Sequence, residues 1–336
     1  MIKLAVDVGS SVTKIYRADG GYGLVLTEPS CVAVRGFDRE VVAVGKEAKK
    51  LVGKTAEFTQ IVFPVYEGEI VDERLTGEML KTFLSRVGAT GGKLKRTELI
   101  LSVPVGADEE VKRVYRTVLE ECGIRNYTFV EIPFLSALGS NALLSEESPV
   151  FAMDIGGGMA NMAIVSLYGV ITGVSMNIGG NNIDADIIEK LKAEKEIEVG
   201  ILTAERIKNE VGSLGKYARA QTVAEGSSVS LKRPVAVSVQ SSDIRDCIAV
   251  YIDKIVEYAG MLLKNLTPEV CAVVGQNGLY LSGGLSKLNG VAEYIGQSLG
   301  MKVHLAEEPS FTVVSGAGAL FGERELMKKI CLKDED

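Results

Sequence analysis

The sequence predicts an α/β protein made of two related lobes that face each other across a cleft, and three observations carry that expectation. A strand, an Asp-Gly loop, a second strand, a glycine-rich turn and a third strand are written twice, in KLAVDVGSSVTKIYRADGGYGLVLTEPSCVAV and in PVFAMDIGGGMANMAIVSLYGVITGVSMNIGG. Asp7 and Asp154 hold the same place in the two copies, each ahead of an apolar residue and a glycine. Helical periodicity follows the strands in both halves, so the repeat is a whole supersecondary block rather than a short solenoid period.

The helices follow in order. Asp108 is placed to cap a helix in which Val111, Val114, Tyr115, Val118, Leu119 and Cys122 recur at helical spacing. Asn182-Ile-Asp184 leads into ADIIEKLKAEKE, and TAERIKNEVGSL sets Ile207 and Val211 four apart. From Ile244 to Leu266 a long apolar stripe marks a helix with one buried face. GLYLSGGLSKLNGV then reads as a strand, a glycine turn and a helix start. No low-complexity linker divides the chain, so the lobes are expected to exchange segments: residues 1–147 with 310–336 form lobe I, and 148–309 form lobe II.

With 336 residues, 46% hydrophobic and 24% charged, the chain can bury a substantial core. A net charge of −7 argues against sequence-independent nucleic-acid binding, although Lys93-Leu-Lys-Arg96 is a small basic patch. Cysteines 31, 122, 247, 271 and 331 lie far apart without a CxxC pair, as suits reduced thiols in a cytoplasm. The single histidine, His304, rules out a histidine metal cluster and reads as structural. A strand pattern begins at Ile2, so no signal peptide is expected. Residues 155–183 carry no charge, but seven glycines and four asparagines make them strands joined by turns rather than a membrane span.

Neither GxxxxGK[ST] nor GxGxxG is present. Four glycine loops follow strands instead: DVGSS (7–11), DIGGG (154–158), NIGGNN (177–182) and LSGGLS (281–286). Glycine removes the Cβ barrier and lets backbone N–H groups converge on an anion. Ser10, Ser11 and Thr13 add hydroxyls to the first loop, and Lys14 adds a positive charge. An aspartate ahead of a phosphate loop is electrostatically unfavourable unless a cation lies between them. Asp7 and Asp154 together suit a hydrated Mg²⁺, which keeps several of its waters. Taken singly each loop is an ordinary turn; the matched pair points to phosphate.

With these segments the chain resembles the actin, Hsp70 and sugar-kinase superfamily, and within it the bacterial actins of the MreB family. The likeness runs through VDVGSSVTKIY, LTEPSCVAV, VAVGKEAKKLVGKT, PVYEGEIVDERLTGEMLKTFL and SVPVGADEEVKR. It continues in MDIGGGMANMAIVSLYG, IGGNNIDADII, TAERIKNEVGS and LYLSGGLSKLNGVAEYI. The resemblance implies an actin-like fold, two similar RNase H-like lobes around a nucleotide cleft that holds ATP and Mg²⁺. It gives Gly9, Ser10, Ser11 and Lys14 to one side of the phosphates and Gly156, Gly157 and Gly158 to the other. It gives Asp7 and Asp154 to the metal through water. Glu205 and Lys208 match the family's ribose and adenine contacts, with Gly283 and Gly284 beneath the adenosine. Lys14 lies where actin, but not the usual MreB, has a phosphate-contacting lysine.

Two departures bear on hydrolysis. The family's water-positioning glutamate directly precedes a proline, whereas here Ile132 precedes Pro133 and the carboxylate sits one residue earlier, at Glu131. One residue of shift at a strand end turns a side chain to the other face. The family's threonine after DIGGG is Met159, which cannot donate to a phosphate. Losing a water-positioning group costs roughly 10²–10⁴-fold in rate, and losing a transition-state donor about 10² more. ATP binding with weak or absent hydrolysis is therefore expected.

The family's membrane loop corresponds to ATGGKLKRTE, which offers only Leu94 among basic residues, so membrane contact is expected to be weak or indirect. Three functions follow from the resemblance. The first is a cytoplasmic bacterial actin that self-associates into protofilaments with cell-shape proteins as partners. The second is a non-polymerising ATP-binding regulator of such filaments, and the third a chaperone- or reactivase-like ATPase.

Overall fold

The repeated hairpin folds twice into the same kind of sheet in the computed structural model, which describes residues 1–21, 23–54, 58–145 and 148–330. The first sheet runs in the order Gly23–Pro29, Val12–Arg17, Lys3–Val8, Glu98–Val103, Asn126–Glu131. The second runs Gly169–Met176, Ala160–Ser166, Val150–Ile155, Leu279–Ser282, Val303–Leu305. In both, three antiparallel strands are extended by two parallel ones. Parallel neighbours need crossover helices, which cover both faces and make the central strands apolar throughout. Lys3–Val8 obeys this except at Lys3 and Asp7: Leu4 and Val6 enter a core with Leu75, Met79 and Phe83 of helix Glu73–Arg86.

Ala5 turns to the opposite face and joins a different cluster, which also contains Ala152, Leu135 and Val314. This cluster lies where helices Ile132–Gly139 and Thr312–Leu320 cross. A Cβ on Gly139 would strike the Thr312 carbonyl, and one on Gly316 the Leu135 carbonyl. Small residues at the crossing let the two backbones touch. Helix Ile132–Gly139 lies on strand Val150–Ile155 of the second sheet, and helix Thr312–Leu320 lies on strand Lys3–Val8 of the first. Residues 146–147, where the division between lobes is expected, lie outside the described residues.

A small sheet extends each half. Val32–Arg35, Glu40–Val44 and Thr59–Val62 form one; Ile197–Glu198, Gln221–Ser228 and Pro234–Gln240 form the other, beside helix Ile201–Val211. Asp108 caps helix Glu109–Glu121 by accepting from the Val111 N–H at 2.9 Å. Helix Gly180–Lys195 opens ahead of Asn182 because the Asn182 amide oxygen accepts from the Gly179 N–H at 2.8 Å. The apolar stripe from Ile244 lies in helix Ser241–Lys264, started earlier because Asp243 accepts from the Gln240 N–H.

The charge-free stretch forms strands Ala160–Ser166 and Gly169–Met176, and no helix among the described residues is long and apolar enough to cross a membrane. Cys31, Cys122 and Cys247 are buried and unpaired, Cys271 is exposed, and Cys331 lies outside the described residues. Burial pushes the Cys31 thiol up to about 11 and that of Cys122 to about 12, which leaves both unreactive. His304 stacks on Tyr280 with ring centroids 4.8 Å apart. Leu94 packs in part on the first-half core beside Gly123, and the lysines around it are exposed.

Candidate functional site

The pleat that sends Ala5 to the shared cluster sends Asp7 to the same face, and Ala152 with Asp154 repeats the arrangement in the second half. Both aspartates thereby reach one cleft of about 600 Å³ between the halves. Each is held by a serine ending the neighbouring parallel strand. Ser102 Oγ donates to Asp7 Oδ1 at 2.9 Å, and Ser282 Oγ donates to Asp154 Oδ1 at 2.6 Å. The residues opposite them in the hairpins differ. Lys14 pairs with Asp7 in register and its Nζ donates to Oδ2 at 2.7 Å. Asn161 pairs with Asp154 but turns its amide oxygen to the Ser175 hydroxyl at 2.6 Å and the Val105 N–H at 3.3 Å.

The charges follow from this asymmetry. Burial pushes the Asp154 carboxyl up to about 6, against the pull of Ser282 and Lys14 and with the charge on Asp7 adding to the rise. Burial also works against the charge on Lys14, yet Asp7 and then Asp154 outweigh it and hold its pKa above the ordinary lysine value. One ammonium thus serves two carboxylates. Among the described residues no group of three or more His, Cys, Asp or Glu is placed to hold a metal ion. A cation between these two aspartates would take its other ligands from water and phosphate, which suits Mg²⁺.

The two glycine loops meet above the aspartates. Ser11 Oγ donates to Asn181 Oδ1 at 2.8 Å, and the Gly68 N–H donates to Ser10 Oγ at 2.8 Å. A Cβ on Gly157 would strike the Ser11 hydroxyl. One on Gly158 would strike the Ser10 hydroxyl and lie 3.0 Å from the Glu67 Cα. The serines of one loop therefore occupy the space that glycine leaves on the other. Gly283, at φ +89°, passes so close beneath Ile155 that any side chain would meet its backbone, and Gly284 follows it along the cleft.

At the other end, helix Ile201–Val211 brings Glu205 and Lys208 into the cleft. Lys208 is buried, and its ammonium donates to Asp184 Oδ2 at 2.7 Å and the Gly180 carbonyl at 2.8 Å. Glu205 accepts from Lys49 Nζ at 2.7 Å, and Lys49 belongs to the first half, so this ion pair crosses between the lobes.

The residues expected from the sequence to touch phosphate, metal or nucleoside line this one cleft, except Thr13, whose buried hydroxyl instead lies 2.9 Å from that of Ser30. Ile132 and Met159 line it too. The Met159 thioether covers Gly68. Glu131 does not line the cleft; its Oε1 accepts from the Gly106 N–H at 2.9 Å. Sequence reasoning missed Ser102, Asn181, Asp184, Lys49 and the buried Tyr115, which line or bridge the cleft, and Ser282, which is buried behind Asp154. A signal existed for the two serines, since LS closes both strands of the repeat in ILSV and YLSG. Lys49 carries no such signal.

A family model described as MreB/Mbl protein matches residues 1–329. The cell shape-determining protein MreB of Escherichia coli strain K12 is 32% identical over 321 residues, covering 94% of this chain and 92% of that protein. The crystal structure of MreB5 of Spiroplasma citri bound to AMPPNP superposes with a TM-score of 0.90 at 26% identity, over 96% of this chain and 97% of that one. A chain of the MamK double helical filament superposes with a TM-score of 0.78 over 96% of this chain and 98% of that one; at 21% identity the likeness is one of fold alone.

Proposed function

The chain belongs to the MreB/Mbl family, and from that membership we propose that it is a cell shape-determining actin homologue that binds ATP between its lobes and assembles into protofilaments. The observation that carries this reading is the pair of Asp-Gly loops facing each other across one cleft. Gly9, Ser10, Ser11 and Lys14 hold the phosphates from one side and Gly156, Gly157 and Gly158 from the other. Asp7 and Asp154 hold Mg²⁺ through water, and the ion screens phosphate charge. Glu205, Lys208, Gly283 and Gly284 hold the nucleoside. The protein works in the cytoplasm, and with Leu94 the one apolar side chain of its loop and partly buried, membrane contact is weak and rests on Lys93, Lys95 and Arg96, or is indirect.

Hydrolysis is weak in this reading. The wall position next to Pro133 presents Ile132, Met159 has no donor, and the nearest displaced carboxylate, Glu131, is bound to Gly106. None of these residues can orient a water on the γ-phosphate. Ile132→Glu with Met159→Thr is expected to raise phosphate release about a hundredfold or more, measured in single turnover. Release by the unaltered chain at the rate of an active bacterial actin overturns the assignment.

The same two residues favour a second reading, a non-polymerising ATP-binding regulator of MreB-type filaments. Light scattering and electron microscopy across protein concentration, salt and nucleotide separate the two. Filaments with ATP support the first; their absence under all conditions leaves the second.

A further inference from the structure

One contact between the lobes at the phosphate end is apolar. The turn Glu67-Gly68 joins strands Val65–Tyr66 and Glu69–Ile70, with its two residues at φ +47° and +81°. Val65 and Ile70 sit in the first-half core, so the turn belongs to that half. Its own half also holds it by polar bonds: the Gly68 N–H donates to Ser10 Oγ at 2.8 Å, and the buried Tyr115 hydroxyl donates to the Gly68 carbonyl at 3.4 Å. The other half reaches it through the second phosphate loop. A Cβ on Gly158 would lie 3.0 Å from the Glu67 Cα, and the Met159 side chain fills the space where a Cβ of Gly68 would stand. Met159 is half-buried and lines the cleft, so burial and dispersion are what it contributes here.

An unbranched thioether can leave such a seat by a change of rotamer alone. Salt does not screen the contact as it screens an ion pair, and no hydrogen bond has to be replaced when it parts. We propose that Met159 is a latch: seated on Gly68 it holds the lobes closed over the phosphate end, and its release is the step through which nucleotide enters and leaves. The inference rests on the cleft being the nucleotide site, as proposed above, and names what regulates exchange there. Both partners of the latch are protein groups, so it resists opening equally in either direction. Loosening it therefore changes rates rather than affinity, as a gate does.

The test is stopped-flow binding and chase of a fluorescent ATP analogue. Met159→Ala is expected to raise the association and dissociation rate constants together, each roughly fivefold to tenfold, as loss of a half-buried side chain implies. Their ratio is expected to stay within about twofold. Gly68→Ala sets its Cβ on the Met159 side chain and is expected to speed both rates alike, yet to add little in Met159→Ala, because the two residues make one contact. Should Gly68→Ala fail to fold at its positive φ, Met159→Ala carries the test. Faster dissociation with unchanged association would mean that Met159 touches the nucleotide itself, and overturns the latch. Unchanged rates in folded Met159→Ala, or additive effects of the two substitutions, overturn it while leaving ATP binding intact. Hydrogen exchange at the Gly68 amide, followed without nucleotide, needs no ATP and is expected to quicken in Met159→Ala. If it quickens while the unaltered chain binds no nucleotide, the latch stands and the proposed function falls; unchanged exchange overturns the latch.

Discussion

The two Asp-bearing hairpins share a scaffold almost residue for residue and differ in what stands on it. In each, an alanine two residues before the aspartate faces the helix crossing, and a serine from the parallel neighbour donates to the aspartate. The first loop carries Ser10, Ser11 and the Lys14 ammonium; the second carries three bare glycines and a neutral Asn161. The loops approach until the hydroxyls of one lie where Cβ atoms of the other would be. Two loops of the first kind could not close at this distance, and two of the second would leave the aspartates without a cation. The asymmetry is a packing requirement, and it divides the labour: the first half supplies donors and charge, the second supplies room.

The strongest way to break that division is to put a side chain on the empty loop. Gly157→Val drives Cβ into Ser11 and branches towards Asn181. Overpacking of this kind costs up to about 3 kcal/mol, so ATP affinity, read by titration, is expected to fall roughly a hundredfold. Ser11→Ala on the facing loop removes one hydrogen bond, to Asn181, and costs about 1 kcal/mol or less. Comparable losses in the two variants would mean that the loops do not meet in solution.

The second difference is electrostatic and can be sharpened by pH. Asp154 holds its proton up to about 6, above the ordinary 3.8. A carboxyl whose folded pKa is raised binds its proton more tightly in the folded state, so ionising it opposes folding. That cost is absent below about 4, grows between about 4 and 6, and is complete above 6. Asp154→Asn removes it, and the nucleotide-free protein is expected to gain of order 3 kcal/mol at pH 7 in urea unfolding, with the gain shrinking as pH falls through 6. Mg²⁺-dependent ATP binding is expected to weaken in the same variant. A destabilised Asp154→Asn protein at pH 7 would show that the carboxylate is stabilised by contacts stronger than the burial that opposes it.

How much of this was legible in the sequence depends on how local each feature is. The sheets were, because a strand with a glycine turn has a period and punctuation, and writing it twice exposes the repeat. Asp7, Asp154 and their glycines were, because they sit at strand ends where the pleat decides direction. Glu205 and Lys208 were reached through family likeness; their spacing alone describes any helix-surface pair. The direction of Glu131 followed from strand alternation, and its bond to Gly106 agrees with it. Asn181 and Asp184 were not legible as partners of Ser11 and Lys208: the first contact spans 170 residues and depends on how the halves close, and the second spans 24 and depends on how helices Gly180–Lys195 and Ile201–Val211 pack. Leu94 is the one apolar side chain its loop offers in the sequence, and in the structure the 3₁₀ turn Gly91–Arg96 holds it partly buried against the first-half core.

Lys49 is the extreme case, a lysine in a four-residue helix whose meaning comes entirely from Glu205 across the cleft. Here the two halves touch through charge alone, in contrast to the interlocked loops. The side chains are 32% and 35% exposed, so water and salt screen the pair and its worth is at most about 1 kcal/mol. Lys208–Asp184, in the same corner, is at most 9% exposed and is not screened in this way. Lys49→Ala is therefore expected to speed dissociation of ATP by only a few fold in a stopped-flow chase, with the unfolding midpoint unchanged. Raising the salt to about 1 M, where the screening length drops to about 3 Å, is expected to bring the unaltered chain to the variant's rate and to leave the variant where it was. If Lys49→Ala dissociates at the unaltered rate at low salt, opening is governed at the serine and glycine loops, and the ion pair merely follows their closure.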